Sequence, residues 1–380
     1  MSGQRVMIVA GEASGDLHGG NLVREMQALS PGFSFAGVGG KKMEAAGVKL
    51  VANVADMAVV GLTEVICKLG VVLKVMHGLK AAMKNEPPAL LILIDYPDFN
   101  LPLAKTARKR GIKVLYYISP QVWAWRKSRI EAIRRTVDKM VVILPFEEAF
   151  YRGAGVDVTF VGHPLLDEVK TRFPRREALG RFGLNDETVT IALLPGSRKS
   201  EVERLLPEML EACRLIAGMI SPVQFVLPLA STLPFSFVQD IIQRFPVRVK
   251  VVGEDIYDAI SLADAAIVAS GTATLETALL GVPMVVIYKI SGLSYAIGKR
   301  FIKVDYISLV NLIAGRAVVP ELIQHDANPA RIAAEVKELI VNKKVKQGMR
   351  KAFTALRGKL GAPGAAQRTA QIACGMLKEG

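Results

Sequence analysis

The strongest constraint on the fold is an alternation of short, wholly apolar runs with helix-like sequence, broken once by a proline- and charge-rich stretch and then resumed. Val6 to Ala10, Phe33 to Val38, Ala89 to Ile94, Lys113 to Ile118 and Lys139 to Leu144 form the first set. The second set is Val189 to Leu194, Val223 to Leu227, Val247 to Val252, Ala265 to Ala269 and Met284 to Ile287. Continuous Val/Ile/Leu runs predict strands buried on both faces, hence parallel sheets covered by helices. The economical reading is α/β, with two Rossmann-like doubly wound parallel-sheet domains. Gly162 to Arg176, carrying Pro164 and Pro174, reads as the link between them. The expected domains are 1–164, 165–345 and a helical tail, 346–380, packing back on the N-terminal domain. Two such lobes place a ligand-binding cleft between the carboxyl ends of their strands.

The chain of 380 residues is long enough for two cores, and 51% of it is apolar. Its formal net charge of +14 favours anionic partners: a phospholipid surface, a phosphorylated substrate or nucleic acid. Nucleic acid is the weakest of these, because no ribonucleoprotein signature, zinc-finger spacing or Gly/Arg tract is present. Cys67, Cys213 and Cys374 are far apart and odd in number, which fits idle thiols in a reducing compartment. The apolar run near the N-terminus is too short for a signal peptide, and no transmembrane helix is expected.

Two loops of the second half suit a phosphate. Ser270-Gly271-Thr272-Ala273-Thr274-Leu275-Glu276 follows a strand and opens a helix. Its small residues admit close approach to backbone N–H groups at the positive end of the helix dipole. Thr272 and Thr274 add hydroxyls, and Glu276 suits ribose hydroxyls. A plain turn with Ser270 as N-cap is the structural alternative. Leu194-Pro195-Gly196-Ser197-Arg198 also follows a strand, with Arg198 suited to bidentate phosphate contact. No Walker lysine motif is present, so P-loop ATPase chemistry is not expected.

Three segments of the first half carry polar groups to strand ends. Gly11-Glu12-Ala13-Ser14-Gly15-Asp16 follows the first strand and reads as the start of a turn reaching Gly20. It is not the dinucleotide fingerprint. Asp95-Tyr96-Pro97-Asp98-Phe99-Asn100 sets two carboxylates and an amide at another strand end, where one carboxylate can act as general base and another residue can cap the helix. Ser119-Pro120-Gln121-Val122-Trp123-Ala124-Trp125-Arg126 holds both tryptophans of the chain, beside Arg126, Lys127 and Arg129. Such a cluster suits a sugar face or a lipid headgroup; a packed corner is the alternative.

Val65, Ile66, Leu69, Val72, Leu73 and Met76 recur at helical spacing beside Lys68 and Lys74. Such stripes are usually core, but lysine flanks and the extra apolar Val59, Val60 and Val71 also suit a membrane surface or acyl chain. No histidine pair has metal-ligand spacing, no Asp-x-Asp pair is present, and no metal or cofactor is expected. A metal-free enzyme acting on a nucleotide diphosphate would need helix ends and arginine to stabilise the leaving diphosphate instead.

Together these motifs resemble the lipid-A-disaccharide synthase family. The segments beginning at Gly11, Asp95, Ser119, Leu194 and Ser270 carry the likeness. So do Leu144-Pro145-Phe146-Glu147, Gly162-His163-Pro164 and Ser308-Leu309-Val310-Asn311-Leu312-Ile313-Ala314-Gly315-Arg316, all in the family's order. The family usually has proline where Val310 stands. The resemblance implies a GT-B fold and an inverting transfer from UDP-2,3-diacylglucosamine to 2,3-diacylglucosamine 1-phosphate. Its products are a β-1,6-linked disaccharide 1-phosphate and UDP. It further implies peripheral association with the inner face of the inner membrane of a Gram-negative bacterium, and a homodimer that exchanges C-terminal parts.

On that footing Asp98 is the expected base, with Glu12 or Asp16 orienting the sugars. Ser14, Asp95, Asn100, Gln121, Trp123 and Trp125 are expected at the acceptor. Gly196, Ser197, Arg198 and the 270–276 loop are expected at UDP, with Asn311 and Arg316 beside them. Glu12, Asp16, Asp95 and Asp98 all remain open as the base. Two rival readings stand: another GT-B enzyme, such as a UDP-N-acetylglucosamine 2-epimerase, and a non-catalytic nucleotide-sugar or anionic-lipid binder.

Overall fold

The computed structural model describes residues 4–54, 62–120, 122, 129–290 and 305–378, with the side chains of 62–69 excepted. The chain divides into two compact units, Met1–Pro164 with Leu360–Gly380, and Leu165–Lys359. The expected boundary at 345/346 falls inside helix Lys343–Lys359, which packs on helices Thr272–Leu279, Leu309–Ala314 and Pro329–Val341 of the second unit. The tail returns to the first unit only from Leu360.

The first unit holds a seven-stranded sheet of order β3-β2-β1-β4-β5-β6-β7, every pair parallel. Its strands are β1 (Arg5–Ala10), β2 (Ser34–Gly39), β3 (Val48–Asn53), β4 (Leu90–Ile94), β5 (Lys113–Tyr117), β6 (Lys139–Val142) and β7 (Val158–Phe160). The strand side chains alternate between two cores. Val9, Leu91, Leu93, Val114, Tyr116 and Met140 face helices Leu62–Asn85, Pro97–Arg108 and Pro145–Gly153. Ile8, Ala10, Ile92, Ile94, Leu115 and Tyr117 face helices Ala13–Leu29 and Ala365–Lys378. A sheet covered on both faces needs no polar alternation, which is why the central strands read as unbroken apolar runs.

The second unit holds a six-stranded parallel sheet of order β10-β9-β8-β11-β12-β13. Its strands are β8 (Val189–Leu194), β9 (Val223–Pro228), β10 (Val249–Val252), β11 (Ala265–Ala269), β12 (Met284–Tyr288) and β13 (Glu321–Ile323). The expected two doubly wound sheets are thus observed. Sequence reading missed β3, β7 and β13, and each of them closes an edge of its sheet.

The expected turn from Gly11 to Gly20 is instead helix from Ala13 onward. Its glycines serve close packing. A Cβ on Gly19 would lie 2.7 Å from Met43 Sδ, and one on Gly20 2.8 Å from the Lys42 carbonyl oxygen. Among the described residues no helix is long and apolar enough to cross a membrane.

Candidate active site

The carboxyl ends of β1 and β4 lie side by side in the first sheet, with Ala10 paired to Ile94. Beyond β4 the chain takes two successive left-handed residues, Asp95 (φ 45°) and Tyr96 (φ 47°), before Pro97 starts a helix. Non-glycine residues hold this conformation only when their surroundings fix it. Here the Asn100 amide donates to the carbonyls of Ile94 (3.2 Å) and Asp95 (2.6 Å), and the Tyr116 hydroxyl donates to Asp95 O (2.5 Å). The turn lays the Tyr96 ring over Gly11, where a Cβ would lie 2.2 Å from the ring. Asn100, expected at the sugar, is fully buried and builds this turn.

The turn sorts the two carboxylates. Asp98 is exposed on the first helical turn, where Arg129 donates to its Oδ1. Asp95 is half-buried. Burial, and then the charge of Glu12, push its carboxyl up to about 6, against smaller lowering effects from the Tyr96 N–H and His18. Glu12 and Ser14 are exposed at the start of helix Ala13–Leu29. Asp16 is buried, and its carboxylate accepts from the N–H groups of Gly40 (2.6 Å), Lys42 (3.0 Å) and Met43 (2.9 Å). These bonds hold the loop after β2 and occupy the carboxylate that was expected, as an alternative to Glu12, to orient the sugars. Gln121, Trp123 and Trp125 lie outside the described residues. Their neighbour Ser119 is buried, 2.6 Å from the Tyr151 hydroxyl.

In the second unit, β8 and β11 are adjacent and each ends in a glycine loop. Gly196 has φ 113°, and a Cβ there would meet Glu201 Oε2 at 2.5 Å. The Glu201 carboxylate accepts from the N–H groups of Ser197 (3.3 Å) and Arg198 (3.4 Å), and from the Arg198 guanidinium (3.3 Å). Glu201 went unremarked at the sequence level. Its place as third residue of helix Lys199–Met219, where a glutamate reaches back to the cap N–H, was the available signal.

Gly271, not Ser270, is the N-cap of helix Thr272–Leu279, with φ 153°. The Ser270 hydroxyl donates to Ile307 O (3.0 Å) and the buried Thr274 hydroxyl to Gly271 O (2.7 Å). Both hold the loop, which leaves the exposed Gly271 and Thr272 and the half-buried Ala273 to present backbone N–H groups. Glu276 is half-buried and accepts from the Tyr257 hydroxyl at 3.1 Å. Burial raises its carboxyl, and Glu168 adds to the rise.

Asn311, expected near the diphosphate, is buried. Its carbonyl oxygen accepts from Val318 N (2.7 Å) and Val319 N (3.0 Å), while its amide donates to Val319 O (2.9 Å) and Glu321 (2.8 Å). That saturated set makes it a brace for the loop leading to β13. Arg316 follows the left-handed Gly315 and is exposed.

Of the apolar stripe, Met76 is buried in the core, Val72 packs against it and Leu73 is exposed. Val65, Ile66 and Leu69 lie outside the described side chains. Among the described residues no cluster of three or more His, Cys, Asp or Glu could hold a metal ion.

The fold of the two sheets finds counterparts in solved structures. A putative UDP-N-acetylglucosamine 2-epimerase of Listeria monocytogenes superposes with a TM-score of 0.65 at 15% identity, covering 100% of this chain and 98% of that one. The calicheamicin glycosyltransferase CalG4 superposes with a TM-score of 0.62 at 15% identity, covering 100% and 99%. Identities this low speak for the fold alone. They place the chain in the GT-B glycosyltransferase fold.

Sequence comparison narrows the class. Residues 6–374 match the family model described as lipid-A-disaccharide synthetase. A lipid-A-disaccharide synthase of Syntrophus aciditrophicus is 56% identical over 100% of this chain and 99% of its own length. One of Geobacter metallireducens is 50% identical over 98% and 97%. The chain belongs to the lipid-A-disaccharide synthase family, and it is a glycosyltransferase.

Proposed function

We propose that the chain transfers 2,3-diacylglucosamine from its UDP derivative to the 6-hydroxyl of 2,3-diacylglucosamine 1-phosphate, with inversion. The acceptor oxygen bonds to the anomeric carbon as the bond to the UDP β-phosphate oxygen breaks. The hydroxyl proton passes to a carboxylate. Products are the β-1,6-linked disaccharide 1-phosphate and UDP.

The carrying observation is the division of labour between the two carboxyl edges. One bears exposed carboxylates and the other bears glycine-opened loops and Arg198. Asp98 is the assigned base: it is solvent-accessible, sits on a rigid helical turn and is aimed by Arg129. Asp95 is the second candidate, since a carboxyl raised to about 6 is the more basic at neutral pH. Glu12 and Ser14 orient the acceptor, with Gln121, Trp123 and Trp125. Arg198 turns from Glu201 to the diphosphate, and the N–H groups of Gly271 to Ala273, with Arg316, help stabilise the leaving UDP. Glu276 receives the ribose. The exposed side of helix Leu62–Asn85 meets the membrane surface and the acyl chains. The protein works as a peripheral homodimer at the inner face of the inner membrane; a monomeric mass in detergent by light scattering would overturn the dimer.

The epimerase reading rests on fold likeness at 15% identity, which carries no reaction. A non-catalytic anion binder gains nothing from exposed carboxylates at one edge. The test combines both lipid substrates in detergent with a chelator and follows UDP and disaccharide. Wild-type protein is expected to form disaccharide, and Asp98→Asn to lose at least ~100-fold in kcat with UDP binding retained. An unimpaired Asp98→Asn beside an inactive Asp95→Asn would transfer the role to Asp95. No disaccharide under any condition would sink the reaction itself.

A further inference from the structure

Tyr257 stands on helix Ile256–Ser261, the element after β10, and carries no recognisable motif. Its hydroxyl donates to Oε1 of Glu276 at 3.1 Å, and no other hydrogen-bond donor to that carboxylate is found among the described residues. The helix bearing Glu276 starts at the Gly271 loop, so the carboxylate lies about one and a half turns from the helix N-terminus. A glutamate has three rotatable bonds and scatters its carboxylate unless a partner fixes it. A phenol on one oxygen removes that freedom and leaves the second oxygen's lone pairs for a ligand. We infer that Tyr257 is a positioning residue for the nucleotide. It fixes Glu276 so that the free oxygen accepts from the vicinal hydroxyls of a ribonucleoside diphosphate.

This deepens the reading of Glu276 as the ribose acceptor and rests on it. Electrostatics point the same way. Burial and Glu168 both disfavour the ionised form of Glu276, while the Tyr257 hydrogen bond favours it. An ionised carboxylate is the stronger acceptor for a hydroxyl. The phenol itself is pushed up by burial and by Glu276, so it stays a donor throughout the working pH range.

The experiment measures calorimetric binding of UDP and of 2′,3′-dideoxy-UDP to wild type, Glu276→Gln, Tyr257→Phe and the double variant. Wild type is expected to prefer UDP, and Glu276→Gln to shrink that preference. Tyr257→Phe should weaken UDP roughly tenfold, as expected for losing a hydrogen bond to a charged group. It should leave dideoxy-UDP unchanged and add little to Glu276→Gln. Three results overturn the inference in distinguishable ways. If Glu276→Gln keeps the full preference, the ribose reading falls and this inference with it. If Glu276→Gln loses the preference while Tyr257→Phe keeps it, only the positioning role falls. If Tyr257→Phe weakens both nucleotides equally, the phenol is merely structural.

Discussion

Asp95 and His163 belong to the same unit and are perturbed in opposite senses with respect to folding. Burial lowers His163 to about 3 from the usual 6.5, with the nearby His18 adding to the effect. Asp95 is raised to about 6 from 3.8. His163 therefore contributes stability above pH 6.5, and loses it as pH falls toward 3, because the unfolded chain takes up the proton. Asp95 contributes below pH 3.8 and loses its contribution as pH rises through about 6. Between roughly pH 4 and 6 the two slopes oppose each other, each amounting to about 1.4 kcal/mol per pH unit when uncompensated. Asp95→Asn should accordingly destabilise more steeply on acidification from pH 6 to 4 than wild type, and His163→Asn less steeply. Urea unfolding at several pH values reads this directly; parallel slopes in all three proteins would refute the pairing.

Helices and strands differ in how much of their role their own sequence carries. Helix Leu62–Asn85 has an apolar stripe that serves two surfaces. Met76, Leu79 and Met83 are buried in the core, whereas Val71 and Leu73 stand 39% and 49% exposed, near Lys74. Among the described side chains, this exposed pair is the part available to a membrane. Val71→Ser with Leu73→Ser should leave the melting temperature nearly unchanged and release the protein from anionic phospholipid vesicles in a sedimentation assay. Undiminished sedimentation would remove this helix from the membrane contact. The start of helix Ala13–Leu29 was hidden for a related reason. Gly15, Gly19 and Gly20 look like turn residues in sequence, yet at least Gly19 and Gly20 are small because Met43 and Lys42 press against them. The short edge strands β7 and β13 and the half-exposed β3 lack the double-sided burial that makes central strands legible.

On the scale of the whole chain, the C-terminal segment belongs to the unit that the N-terminus starts. Helix Ala365–Lys378 packs on helix Ala13–Leu29, burying Ala370, Ala373, Cys374 and Leu377 in the core that holds Leu22, Val23 and Met26. The crossing is fastened where His163 N donates to Leu360 O (2.9 Å) and the Arg368 guanidinium donates to Val161 O (2.6 Å). Gly162, at φ 82°, has no room for a Cβ: Ala362 O would lie 2.8 Å away. Ending the chain at Lys359 would expose Leu22, Val23 and Met26, a loss on the order of 5 kcal/mol. That is comparable to the stability of a whole domain. Limited proteolysis with mass spectrometry should then find 165–359 protected and 1–164 degraded. Equal protection of both would show that the tail is dispensable.

The sequence by itself determined the two parallel sheets, the order of their central strands along the chain and the places of the polar and glycine-bearing loops at strand ends. Those properties follow from local pattern: apolar runs fit for burial on both faces, and glycines where backbone must turn or be approached. Only the tertiary structure decided which polar residues in those loops remain available. Asp16 and the Asn100 amide N–H groups are spent on backbone groups, Asn311 on backbone groups and Glu321, Asp98 is met by Arg129, and Glu276 is met by Tyr257. A side chain's availability depends on partners brought close by folding, up to 31 residues away for Asp98 and 19 for Glu276. A hydrogen bond acts over about 3 Å of space, whatever the separation along the chain.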